Sequence, residues 1–170
     1  MGFSESRLRA VGVDVKALAR QSKGQRADVV LPPQILTMTR YWLKLGGKST
    51  PHWPQFQILA VAEIVPYLTI AECLSDGSFS FAFVGSAVAA FLGEDLGNRA
   101  ISAATPVLGE IDWYRRCVPV SESADIQVLS GRTDPPYTSA VEFMAADFPF
   151  VTDAEGTVSH VVGVTVPRVN

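Results

Sequence analysis

A chain of 170 residues with 48% hydrophobic and 18% charged side chains is about one domain in size, with apolar material for a core and too little charge for disorder. The formal net charge of −3 excludes a general nucleic-acid binder, which carries a clear basic excess. No apolar run approaches the roughly 18 residues needed to span a bilayer, and residues 1–20 lack the apolar core and cleavage site of a secretory signal, so the expected compartment is the cytoplasm. Cys73 and Cys117 lie far apart with no CxxC partner, and both read as buried free thiols.

Residues 1–34 read as a partly flexible N-terminal extension. Arg7, Arg9, Lys16, Arg20, Lys23 and Arg26 concentrate positive charge there, and Leu8, Val11, Val15, Leu18 and Ala19 recur at helical spacing around a weakening Gly12. Pro32-Pro33 is a stop. Ile35 to Leu45 reads as a helix closed by Gly46-Gly47, and Ile35, Met38, Tyr41, Trp42 and Leu45 share its apolar face. That face must be buried, against its own sheet or against a second copy of the chain. Residues 48–69 carry three prolines and apolar anchors such as Trp53 and Phe56. They read as a strap over the sheet, with one or two helical turns at Ala60 to Val65.

The clearest pattern follows. Thr69 to Leu74 is a strand, Ser75 to Ser78 a turn with Gly77 placed for positive φ, and Phe79 to Val84 alternates with period two, placing Phe79, Phe81 and Phe83 on one face. Ser86 caps a small-residue helix that ends at Gly93. Asp95 to Ala104 reads as a turn and short helix, and Leu108 to Val118 as a helix with Pro119 beyond it. Asp125 to Ser130, Ala140 to Phe148 and Val158 to Val166 are three further strands. Tight turns between neighbouring strands require an antiparallel sheet, and the middle helices must cover one face of it. The expected class is α+β, a five-stranded antiparallel sheet with short helices on one face and a helical N-terminal extension, the domain proper spanning 35–170.

Two strands, short helices and a three-stranded meander resemble the PAS fold. Residues 37–166 are more specifically similar to small stand-alone PAS proteins of alphaproteobacteria. The resemblance is carried by Tyr41-Trp42 with Leu45-Gly46-Gly47, by Pro51, Phe56 and Ile64 to Leu68, and above all by Phe79 to Ser86 followed by Phe91 to Leu96. Two departures stand out: Ala82 where relatives carry Arg, and Asn98 where they favour Gly. The resemblance implies a sensory or protein-interaction module, with a small ligand between sheet and helices, a signalling protein partner, and pairing into a homodimer through the sheet or an N-terminal helix. Neither haem nor flavin is supported as cofactor. No His occurs from Phe91 to Asp125, where haem-holding PAS domains place one, and the Asn-Cys-Arg segment of flavin photosensors is absent. The cofactor is therefore unknown.

The chemistry of an enzyme is not evident. His52 and His160 are the only histidines and sit in a strap and a strand, too few for a metal centre. There is no phosphate loop and no nucleophile elbow. Asp112, Tyr114 and Arg115 read as a solvated helix face, and a reactive Cys117 beside Arg115-Arg116 is disfavoured despite its cationic neighbours. Glu142 and Asp147 fall on opposite faces of one strand; either would shift its pKa if it projected into a pocket. The candidate pocket is apolar. Phe79, Phe81 and Phe83 form its floor, and Val88, Phe91 and Leu92 come from the helix that follows. Ile101, Leu108, Trp113 and Tyr114 come from the covering helices, and Val141 and Phe143 from the fourth strand. Two other readings are a structural dimerisation module with a filled core, and a small α+β enzyme on a cone-like or hotdog-like fold.

Overall fold

Hydrophobic periodicity and turn chemistry produce most of the elements expected of them. The computed structural model describes residues 9–20, 30–92, 96–104, 112–133 and 141–168. Among these the elements run β1 (Arg9–Ala10), α1 (Val15–Arg20), α2 (Pro33–Gly46), 3-10 turns at Trp53–Gln55 and Ile58–Tyr67, β2 (Leu68–Cys73), β3 (Phe79–Val84), α3 (Ser86–Leu92), β4 (Ala100–Ile101), α4 (Trp113–Ser123), β5 (Gln127–Thr133), β6 (Val141–Val151) and β7 (Val158–Pro167).

Local chemistry sets the boundaries. Pro33 opens α2 at a position where its missing N–H is no loss, and Gly47, at φ +62°, stops the helix by returning its N–H to the Leu43 carbonyl. The β2–β3 turn is held by Asp76, whose carboxylate accepts from the Ser78 N–H at 2.9 Å and hydroxyl at 2.5 Å. Asn98 adopts φ +61°, a left-handed conformation that Asn tolerates.

All strands join one antiparallel sheet in the order β1-β5-β6-β7-β2-β3-β4. Five long strands form the expected core of the sheet, and a two-residue strand is added at each edge. The segment at Asp95 to Ala104 is thus not a helix in its described part. Ala100–Ile101 pairs with Phe79 and Ser80, and Asn98 and Arg99 exchange backbone hydrogen bonds with Phe81. The expected amphipathic N-terminal helix is likewise shortened to α1, because Arg9–Ala10 pairs with Leu129 and Ser130 and the Val11 N–H extends that ladder to the Val128 carbonyl.

A second correction concerns the layers. Helices cover both faces, not one. On one face α2 and the 3-10 strap bury Ile35, Met38, Trp42, Val61 and Ile64 against Met144, Phe148, Val162 and Val164 of the sheet. On the other, α3 and α4 bury Val88, Leu92, Trp113 and Cys117 against Phe79, Phe81, Phe143 and Val161. The central strands β6 and β7 are therefore apolar on both sides, at consecutive residues. A third correction is Pro119, which lies inside α4 rather than beyond it. It falls on the exposed face above the exposed Arg115, whose carbonyl is the one left without an intrahelical donor.

Candidate functional site

Alternation along β6 and β7 brings a polar group into the α4 layer. Phe143, Ala145 and Asp147 share that face of β6, and the register sets Asp147 opposite Gly163 and Ala145 opposite Thr165 on β7. Thr69 of β2 lies on the other side of Gly163. Above them α4 lays down a stripe at helical spacing, Trp113, Arg116, Cys117 and Val120, all buried. Three members are apolar, and the fourth is an arginine.

Arg116 closes a bidentate fork on Asp147. Its Nε donates to Oδ2 at 2.8 Å and its Nη2 to Oδ1 at 3.0 Å, with both side chains buried. Gly163 makes room for the fork. A Cβ there would stand 2.5 Å from Thr69 Oγ1, 2.7 Å from Asp147 Oδ1 and 3.0 Å from Arg116 Nη2. The guanidinium carbon also sits 4.5 Å from the centre of the Trp113 ring, a cation–π contact strengthened by desolvation. Burial pushes the Asp147 carboxyl above the ordinary carboxylate range, and the adjacent Arg116 charge and hydrogen bonds pull it back only in part.

The pair leaves donors over. Arg116 Nη1, Trp113 Nε1 and Thr165 Oγ1 are buried and have no hydrogen-bond partner, an expensive condition for polar atoms in a core. Cys117 lies beside the pair, and burial, helped by the Asp147 charge, pushes its thiol far up. Cys73, half-buried, is pushed up to about 11 by burial and then by Glu72. Neither thiol is disposed to react as a thiolate.

Most pocket candidates meet in this layer. Phe79, Phe81, Val88, Leu92, Ile101, Trp113 and Phe143 are buried in one cluster. Phe91 and Tyr114 flank it, edge-on to Phe143 at 5.6 Å and to Phe79 at 6.0 Å. Phe83 does not join them. β3 pairs Phe83 with Ile70 but Phe81 with Ala71, so Ala82 is the extra residue of a β-bulge. The bulge turns Phe83 to the α2 face and leaves Ala82 itself exposed. Val141 is half-buried at the start of β6, opposite Thr133. Leu108 lies outside the described residues.

The apolar face of α2 is covered by its own sheet. Ile35, Met38 and Trp42 are buried within the chain, and the Trp42 indole donates to the Pro149 carbonyl at 2.8 Å. Tyr41 and Leu45 pack half-buried at the margin. As an interface with a second copy this face is already occupied. Asp112 serves as the cap of α4, accepting from the Arg115 N–H at 3.0 Å, while Arg115 stays exposed. Glu142 is exposed. His52 is exposed, and His160 stacks on Trp53 with ring centres 3.8 Å apart. The residues unanticipated from sequence are Arg116, Thr69, Gly163 and Thr165. One signal for Arg116 was available: it is the charged member of an otherwise apolar helical stripe.

The fold is thus α+β, with one antiparallel sheet clasped between helices and a charged pair buried in the α4 layer. No family model matches the chain, and no curated protein matches it. Seventeen chains of solved structures match. One is a fungal LOV domain photoreceptor, 13% identical with a TM-score of 0.41, the match covering 59% of this chain and 73% of that one. No helix among the described residues is long and apolar enough to cross a membrane.

Proposed function

We propose that this chain is a PAS-type sensory or protein-interaction module, working in the cytoplasm by binding rather than catalysis. It takes a small molecule between the sheet and α4 and relays that occupancy to a signalling partner. The observation that carries this reading is the set of buried, unpartnered donors, Arg116 Nη1, Trp113 Nε1 and Thr165 Oγ1, in an otherwise apolar layer. A few convergent polar groups among apolar walls are the ordinary makeup of a ligand site. A non-catalytic role is supported by the chemistry of the same layer: both Asp147 oxygens are committed to Arg116, and the Cys117 thiol is held protonated by its burial.

Native mass spectrometry of the full chain purified from its own source tests the proposal. The expected result is a bound small molecule, and its loss in the conservative pair of substitutions Trp113→Phe and Thr165→Val. A chain that carries no bound mass, and gains none on exposure to extract of its source, would remove the ligand from the reading and leave a filled structural module.

A further inference from the structure

Charge is divided unevenly along this chain. Nine of the 14 Lys and Arg residues but three of the 17 Asp and Glu fall in residues 1–48, leaving that stretch at +6 and the remainder at −9. Part of the basic share converges on a cavity of about 180 Å³ between α1 and the C-terminal end of α2, lined among others by Lys16, Arg20, Trp42, Lys48, Ser49 and Thr50.

We propose that this cavity binds the phosphoryl group of a small molecule. Lys16 and Arg20 stand one helical turn apart on α1, and Lys48 faces them from the loop after α2. Lys16 is fixed in place, its Nζ 2.7 Å from Asp125 Oδ1 and 5.3 Å from the centre of the Trp42 ring. Asp125 therefore offsets one of the three cations. Arg20 and Lys48 have no ion-pair partner among the described residues, and both are exposed. The end of α2 contributes roughly half a negative charge, well short of two cations. The Ser49 hydroxyl donates to Gly46 O and the Thr50 hydroxyl to Ala124 O, so recognition falls to the ammonium and guanidinium groups. A phosphoryl dianion matches two free cations in charge, and the planar guanidinium fork matches its oxygens. The −9 balance of the remaining chain disfavours an extended polyanion such as a nucleic acid.

The test is titration of the full ¹⁵N-labelled chain with pyrophosphate at constant ionic strength. Expected are saturable shifts of the Trp42 indole and of the Gly47, Ser49 and Thr50 amides, and at least a tenfold loss of affinity in Arg20→Gln/Lys48→Gln. That variant keeps the Lys16–Asp125 pair, and both replaced residues are exposed, so folding is spared. Shifts reproduced by sodium chloride alone, equal affinity in the variant, or binding confined to anionic lipid vesicles would each overturn the proposal. The outcome is independent of whether the α4 layer holds a ligand.

Discussion

Arg116 and Asp147 hold opposite charges in a layer whose other occupants are aromatic and aliphatic. Removing one partner strands the other without water, at a cost of about 3–5 kcal/mol, whereas replacing both with apolar groups of similar size is often near neutral. Arg116→Met is accordingly expected to lose that much in urea unfolding, and Arg116→Met/Asp147→Leu to recover most of it. Losses that simply add in the double variant would show that the two side chains act independently. His160 supplies a pH dependence. Burial lowers its pKa below the ordinary 6.5, outweighing Glu72 across the β2–β7 ladder, so the unfolded chain takes up the proton more readily than the folded one. Stability linked to the neutral ring is complete above about pH 6.5 and declines as pH falls toward the folded-state value. Between pH 7 and 5.5 the melting temperature should fall more steeply in the wild type than in His160→Gln; parallel slopes would assign the dependence to other groups.

At the scale of elements, α2 makes the sheet two-sided. Its buried face, with the Trp42 indole on the Pro149 carbonyl, belongs to the core of a single chain. Trp42→Ala is expected to cost about 3–5 kcal/mol with no change in subunit number, as read by denaturant unfolding and light scattering. A stable variant whose oligomer falls apart would move that helix to an interface. Element identity was largely legible in the sequence. β3 keeps its expected bounds, α3 begins at Ser86 itself, the residue expected to cap it, and β2, β5, β6, β7 and α2 shift by a few residues at most. What was not legible depends on pairing across the chain. The bulge at Ala82 exists because of register against β2, so strict alternation misplaced Phe83. The partner of Arg116 lies 31 residues away, and a buried carboxylate cannot be told from an exposed one by its own neighbours. Propensity alone makes Pro119 a stop, because it ignores the exposed helix face on which that residue falls.

For the whole molecule, β7 is the decisive strand. It lies between β6 and β2, so β2–β3 and β5–β6 belong to one sheet only through it. It also contributes to both core layers, with Val162 and Val164 in one and Val161 in the other. Truncation before Val158 is therefore expected to abolish cooperative unfolding by circular dichroism, not merely to weaken it. A truncated chain that still melts sharply would show that one hairpin folds by itself. The two core layers also separate the two proposed binding sites, one under α4 and one beside α1, so each can be tested while the other stays intact.

That central position has a consequence during synthesis. β2 leaves the ribosome with its β7-facing edge bare, and β6 later does the same, until residues near the end of this sequence emerge. At roughly 5–20 residues per second, the interval between β2 and β7 lasts on the order of ten seconds. Throughout it the nascent chain presents unpaired, apolar strand edges, making it a natural client for chaperones that bind before translation ends.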